Sequence, residues 1–123
     1  MARILVIDDD EQLQRMLKLT LQVLGYDVDQ AFDGKAGVTL CRTSPPDIVL
    51  TDILMPNQDG LETIRELRRA CPDVKIIAMS GGSESLTGID ALPFAARFGA
   101  RRVLYKPFNH KELSTALHEA GSA

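Results

Sequence analysis

The sequence is poor in cysteine, has no excess of basic residues and contains no long apolar run. Its two cysteines, Cys41 and Cys71, are spaced for neither a zinc site nor a CxxC redox pair, so we expect two small buried side chains. The net charge of −3 argues against nucleic-acid binding. No run approaches the roughly 18 apolar residues of a membrane span, which excludes membrane insertion. The N-terminus has no signal-peptide pattern, so the expected location is the cytoplasm.

The length and composition fit one globular domain covering residues 1–123. The chain has 123 residues, of which 45% are hydrophobic and 25% are charged. A domain of this size buries well over half of the surface that its unfolded chain exposes. It therefore needs no disulfide or structural metal to hold its core.

Strand-like and helix-like stretches alternate along the chain. Five apolar strands are predicted at residues 3–7, 26–31, 47–52, 74–80 and 101–106. Helices are predicted at 11–24, after Asp33, after Asp59, around 90–98 and after Asn109. Because the strands "ILVI", "IVL" and "IIAM" are continuously apolar, both faces of the sheet should be covered. We expect an α/β fold, a flavodoxin-like (βα)5 doubly wound parallel sheet of strand order 2-1-3-4-5.

Apolar spacing within the helices predicts which side chains face the core. Gly25 is expected to end the first helix as a C′ glycine, and Asn109 with Glu112 should form a capping box. Three arginines of the third helix, Arg65, Arg68 and Arg69, are interpreted as a solvated face. The residues predicted to face inward are Leu13, Met16, Leu17, Leu21, Leu24, Ala36, Leu40, Cys41, Leu61, Ile64, Leu67, Cys71, Leu113, Ala116, Leu117 and Ala120.

Polar side chains stand where the central strands end. Asp8 and Asp9 follow the first strand, Asp52 ends the third, and Ser80 and Lys106 end the fourth and fifth. Carboxylate ligands without histidine or cysteine suit a hard cation such as Mg²⁺. A lysine and a hydroxyl facing them would complete a cradle for a phosphoryl group, which a carboxylate can accept as an aspartyl phosphate.

Each of these residues also has a plain structural explanation. Asp9 or Asp10 could cap the first helix, Ser80 could be a turn residue, and Lys106 could be a solvated charge. Asp52 is harder to explain in this way, because "ILMP" follows it and offers no helix to cap. Coincidence at all four strand ends is much less probable than at any one of them.

The motifs "VIDDDE", "DIVLTDILMPNQDGLE", "IIAMSG" and "VLYKPF" resemble the receiver domain of bacterial two-component response regulators, of the chemotaxis-receiver-like kind. The resemblance extends over nearly the whole chain and implies that Asp52 is the phosphoacceptor. Asp9 and Asp52 would bind Mg²⁺ directly, together with the backbone carbonyl of Leu54, and Asp8 would bind through water. Mn²⁺ is a possible substitute. The resemblance also implies that Ser80 and Lys106 contact the phosphoryl group.

The resemblance further implies a cis bond before Pro107 and a signalling switch rather than a metabolic enzyme. The phosphoryl donor would be a sensor histidine kinase or a histidine phosphotransfer protein. A change in the surface formed by strands four and five and the helices after them would then signal to a downstream protein, by contact or by phosphorelay. The chain would be either a stand-alone receiver or a fragment of a longer protein.

The sequence departs from the family pattern in two places. Val103 occupies a position that is aromatic in many receivers, so Tyr105, Phe94 or Phe98 could contribute to the output surface instead. The alternative, to which we give equal weight, is that Val103 and Tyr105 only pack beneath the fourth or the fifth helix. The segment between Ser80 and Lys106 is also longer than the commonest pattern, and its composition around "GGSESLTG" predicts a flexible loop.

Two other functions compete with this interpretation. Asp8-x-Asp10 formally matches the D-x-D motif of haloacid-dehalogenase-like phosphatases, but Gln12 replaces the expected Thr or Val and Asp52 is left unexplained. The second alternative is a degenerate receiver that acts as an interaction module without phosphorylation. Such modules usually lack an acid, the acceptor or the lysine, all of which are present here.

Overall fold

A computed structural model describes residues 2–55, 58–81, 96–97 and 99–121. Five parallel strands form the main sheet, namely β1 (Arg3–Ile7), β2 (Asp27–Ala31), β3 (Ile48–Asp52), β6 (Lys75–Ser80) and β7 (Arg102–Tyr105). Their spatial order is β2-β1-β3-β6-β7. Because β6 and β7 are the fourth and fifth predicted strands, the predicted order 2-1-3-4-5 is confirmed.

Four described helices cover the sheet. They are α1 (Glu11–Val23), α2 (Gly34–Thr43), α3 (Gly60–Ala70) and α4 (His110–Gly121). A short antiparallel pair, β4 (Leu54–Met55) and β5 (Gln58–Asp59), was not predicted. Most of the predicted helix over 90–98, with Phe94 and Phe98, lies outside the described residues, as does most of the long segment before it. Among the described helices, none is long and apolar enough to cross a membrane.

Local signals in the sequence set the ends of these helices. The side chain of Asp10 accepts hydrogen bonds from the backbone N–H groups of Gln12 and Leu13, at 3.0 and 3.1 Å, and so starts α1. Gly25, with φ of +97°, ends α1. Asn109 and Glu112 exchange side-chain-to-backbone hydrogen bonds of 2.8 and 3.1 Å, which confirms the capping box.

Two apolar cores lie on opposite faces of the sheet. Leu17 and Leu21 of α1 and Leu113 and Leu117 of α4 pack on one face. Helices α2 and α3 cover the other face, where both cysteines are buried as expected. The inward faces predicted for α3 and α4 are confirmed.

The predicted inward face of α2 was wrong at two positions. Ala36 and Leu40 are exposed, whereas Gly37, Val38 and Cys41 are buried. The helix presents Gly37 to the sheet, where an added Cβ would lie 2.3 Å from Cδ1 of Ile7. A glycine contact of this kind brings the helix close to the strand and rotates Ala36 and Leu40 away from it.

Three further side chains differ from their predicted environment. Met16 of α1 and Leu24, which directly follows α1, were expected to face inward but are each 43% exposed. Arg68 is not part of a solvated face, because its guanidinium donates to the carbonyl oxygens of Pro72 and Val74 at 2.7 Å and of Gly99 at 2.8 Å. It therefore ties the end of α3 to the chain that leads into β7.

Candidate functional site

The carboxyl ends of the parallel strands bring the predicted site residues to one edge of the sheet. β3 pairs with β1 on one side and with β6 on the other, and β7 pairs with β6. Asp8 lies just beyond β1, Asp52 and Ser80 are the last residues of β3 and β6, and Lys106 lies just beyond β7. This is the edge at which doubly wound α/β folds bind their ligands.

Lys106 is the cation at the centre of this edge. Its Nζ lies 3.0 Å from Oδ2 of Asp8 and 3.0 Å from Oδ2 of Asp52. The backbone N–H of Lys106 also donates to the carbonyl oxygen of Ser80, at 2.7 Å. The two carboxylates are almost fully buried, and Lys106 keeps 23% of its side chain exposed. One ammonium group is therefore shared between two buried acids, which leaves a net negative charge at the site, and it remains accessible from solvent.

Burial and ion pairing have opposite effects on the ionisable groups of the site. Burial alone would lower the pKa of Lys106, but the hydrogen bond with Asp8 and the negative charge of Asp52 outweigh it, so this pKa is raised. For Asp8 the largest effect is burial, which raises its pKa despite hydrogen bonds from the Asp10 backbone and from Lys106. The charged form of Asp8 is therefore costly in this environment, and additional positive charge would favour it.

A third carboxylate completes an acidic cluster. Asp8, Asp9 and Asp52 each offer one oxygen, and these oxygens lie within 4.8 Å of one another. Asp9 is exposed, so one side of the cluster is open to solvent. Three carboxylate oxygens, with no histidine or cysteine among them, fit the ligand preference of a hard divalent cation.

Asp10 has a different role from its two acidic neighbours. Its carboxylate caps α1, as described above, and its backbone N–H donates to Oδ1 of Asp8 at 2.9 Å. Because its side chain is occupied at the helix start, Asp10 is unsuited to be the second acid of an Asp8-x-Asp10 phosphatase motif.

The remaining predicted site residues lie around this centre. Leu54 begins β4, two residues after Asp52, and the Lys106–Pro107 peptide bond is cis, as expected. Val103 is partly buried and packs against the apolar core on the face of the sheet that α2 and α3 cover, whereas Tyr105 is 45% exposed. Tyr105 therefore lies at the surface beside Lys106, and a role of either residue in the output surface stays a prediction.

One buried polar residue near the site was not predicted. Gln14 of α1 is 1% exposed, and its side-chain amide contacts the carbonyl oxygen of Asp8 at 3.1 Å. In the sequence it is one of several polar residues of an amphipathic helix. The acceptors that bury it are backbone carbonyls, which leave no signal in residue types.

Comparison with known proteins agrees with this geometry. The sequence model of the response regulator receiver domain matches residues 4–118. The response regulator MprA of Mycolicibacterium vanbaalenii is 39% identical over 115 residues, covering 91% of this chain and 47% of that protein. This chain spans about half the length of the first curated relatives it matches, between 46% and 49%.

Two solved structures are similar over almost the entire chain. A response regulator receiver domain protein from Clostridium thermocellum has a TM-score of 0.85 and 30% identity, covering 98% of this chain and 94% of that chain. The chemotaxis protein CheY4 of Vibrio cholerae also has a TM-score of 0.85, with 27% identity and 98% coverage of both chains.

Proposed function

This chain belongs to the response regulator receiver domain family of two-component signalling systems, and we propose that it is a switch operated by phosphorylation of Asp52. The observation that carries the proposal is the position of Lys106, whose Nζ bridges Asp8 and Asp52 at 3.0 Å each. Phosphoryl transfer depends mainly on positioning and on stabilising negative charge. A buried acceptor carboxylate beside a held ammonium group meets both requirements.

The acidic cluster would hold the divalent cation that such a transfer needs. We assign Asp9 and Asp52 as direct ligands together with the carbonyl oxygen of Leu54, and Asp8 as a ligand through water. Mg²⁺ is the proposed ion, and Mn²⁺ could replace it, because both prefer oxygen ligands. A bound cation supplies positive charge that neutralises the carboxylates and attracts a phosphoryl oxygen. Burial raises the pKa of Asp8 and so disfavours its charged form, and a bound cation would offset that cost.

The proposed transfer uses the carboxylate of Asp52 as nucleophile. An Asp52 oxygen attacks the phosphorus of a phosphohistidine, the P–N bond breaks, and the imidazole leaves as the new P–O bond forms. Lys106 would then exchange its contact with the Asp52 carboxylate for one with the phosphoryl oxygens. Water later attacks the phosphorus and returns the free carboxylate with inorganic phosphate. The chain thus promotes only its own modification and its reversal.

The donor would be a histidine kinase or a histidine phosphotransfer protein. A cleft of about 480 Å³ adjoins Lys106, and its apolar walls include Leu13, Met16 and Phe108. It would accept apolar side chains of the donor while the phosphohistidine approaches Asp52. Because such donors act inside the cell, we assign the chain to the cytoplasm.

The signal would leave through the surface around Ser80 and Tyr105. These residues are paired in register at the ends of β6 and β7. A movement of Ser80 toward a phosphoryl group would therefore shift the backbone at Tyr105. The partner would be a downstream protein reached by contact or by phosphorelay. Replacing Tyr105 with Ala should leave phosphorylation unchanged and weaken binding of that target. Normal target binding by the phosphorylated variant would refute this role.

Incubation with acetyl phosphate and Mg²⁺ tests the proposed function. The intact chain should gain the mass of one phosphoryl group, whereas Asp52→Asn should gain none. Asp73→Asn is the matched control, because it changes an exposed acid in the turn between α3 and β6, outside the acidic cluster. It should be modified like the wild type. The absence of any mass gain would instead support the degenerate interaction module. Turnover of a phosphomonoester that depends on Asp8 would support the phosphatase.

A further inference from the structure

Gln14 is a polar residue on the inward face of an amphipathic helix. Its neighbours on that face, Leu17 and Leu21, are fully buried apolar residues, and Gln14 itself is only 1% exposed. Burying an amide is costly unless its hydrogen-bonding groups are satisfied. The contacts of this amide therefore show what it does in the fold.

The amide nitrogen of Gln14 faces three backbone carbonyls at the end of the sheet. Nε2 lies 3.1 Å from the carbonyl oxygen of Val6, 3.1 Å from that of Asp8 and 2.8 Å from that of Ala31. Because a primary amide has two hydrogens, one hydrogen is shared between two of these oxygens. The side chain thus joins α1 to the ends of both β1 and β2.

A second glutamine fixes the orientation of this amide. Nε2 of Gln30, on β2, donates to Oε1 of Gln14 at 3.0 Å and to its backbone carbonyl oxygen at 2.9 Å. The oxygen of the Gln14 amide therefore faces Gln30, and its nitrogen faces the carbonyl cluster. Both ends of the amide are paired, so it is held rather than free to rotate.

These bonds fix the backbone that carries two of the acidic side chains. The regular pairing of β1 with β2 ends at Ile7 and Ala31. Beyond it, the backbone N–H of Asp8 donates to the Ala31 carbonyl at 3.1 Å, and the Asp8 carbonyl accepts from Gln14. That carbonyl belongs to the peptide group joining Asp8 to Asp9. Its orientation helps to set where both carboxylates point.

We propose that Gln14 is a positioning residue for the cation site. It holds the peptide between Asp8 and Asp9 so that their carboxylates stay within ligand distance of Asp52. The inference rests on the proposed function, since it assigns Gln14 to the cation site of that function. Residues that orient metal ligands typically change metal affinity by about 10–100-fold when they are replaced.

Gln14→Met tests this role, because methionine keeps the length and the helix preference of glutamine but cannot donate. We expect the Kd for Mg²⁺, measured by isothermal titration calorimetry, to rise about tenfold. The rate of modification by acetyl phosphate should fall at low Mg²⁺ and recover at saturating Mg²⁺. Gln22→Met, at an exposed position of the same helix, is the matched control and should leave Kd unchanged.

A control variant that is destabilised to a similar extent distinguishes a positioning role of Gln14 from a purely structural one. Val74→Ala truncates a buried residue before β6, away from the cluster, and should lower Tm without changing the Kd for Mg²⁺. If Gln14→Met binds Mg²⁺ as tightly as Val74→Ala, the inference is wrong. If Gln14→Met does not fold, Gln30→Met decides: we expect it to bind Mg²⁺ more weakly than the wild type, and an unchanged Kd overturns the inference. A wild-type chain that binds no Mg²⁺ and accepts no phosphoryl group overturns the proposed function itself, and the inference with it.

Discussion

Lys106 and Asp52, which are 54 positions apart in the sequence, form an ion pair of 3.0 Å at the carboxyl edge of the sheet. The same ammonium contacts Asp8 at 3.0 Å. In the metal-free protein this pairing offsets the cost of burying two carboxylates, so it has consequences for stability as well as for phosphorylation.

Lys106→Met should destabilise the metal-free protein and change its stability at high pH. The substitution removes the ammonium contact of two buried acids, and we expect a loss of about 2–4 kcal/mol, less than for a fully buried pair because Lys106 is partly exposed. Since folding raises the pKa of Lys106 above its ordinary value of 10.5, its stabilisation is complete below pH 10.5 and is lost as pH rises through the folded pKa. Urea unfolding with EDTA at several pH values measures both effects. If the difference in free energy of unfolding between the wild type and Lys106→Met stays constant into the alkaline range, the ion pair is contradicted.

Mg²⁺ should raise the melting temperature, and Asp9→Ala should abolish this effect. A ligand that binds only the folded state adds about 2.7 kcal/mol at 100 times its Kd. For a domain of this size the gain corresponds to roughly 10 °C. Differential scanning calorimetry with MgCl₂, compared with NaCl at equal ionic strength, measures the shift. Asp73→Ala should behave like the wild type, and an equal shift in Asp9→Ala would remove Asp9 from the ligand set.

Gly37→Ala should destabilise the fold although alanine is the better helix former. The new Cβ would lie 2.3 Å from Cδ1 of Ile7, whose side chain is fully buried. Overpacking of about 1–3 kcal/mol should exceed the gain in helix propensity of about 1 kcal/mol. Ile7→Val removes Cδ1, so the double variant should recover part of the loss in urea unfolding. Gly121→Ala, where the new Cβ would meet nothing within 4 Å, is the control and should be neutral or stabilising.

Both cysteines should resist alkylation in the folded protein. Burial, together with the neighbouring Cys71 thiol, raises the pKa of the Cys41 thiol to about 12. Sγ of Cys71 donates to the carbonyl oxygen of Cys41 at 2.7 Å. Iodoacetamide at pH 8 should therefore leave the native chain unmodified by mass spectrometry and modify both residues in urea. Rapid alkylation of the native chain would contradict the packing of α2 against α3.

The positions of the strands along the chain and the ends of the helices could be predicted from the sequence because their signals are local. Continuous apolar runs marked the central strands, and Asp10, Gly25 and Asn109 marked helix ends with side chains suited to those positions. The site could also be anticipated, since parallel strands bring the polar residues that follow them to a common edge.

The features that were missed depend on backbone groups and on the absence of side chains. Gln14 and Arg68 are held by carbonyl oxygens, which every residue has and which no sequence pattern marks. Gly37 faces the sheet because it lacks a side chain. The spacing of apolar side chains in α2 could not reveal this, and it placed Ala36 and Leu40 on the inward face instead. These errors arise from tertiary packing rather than from local preference.

The most direct test of the account is to locate the phosphoryl group. After incubation with acetyl phosphate and Mg²⁺, borohydride reduction converts an aspartyl phosphate into a stable product that peptide mass spectrometry can assign. We expect modification at Asp52 alone. Modification at Asp8, Asp9 or a histidine such as His110, with Asp52 unmodified, would contradict it.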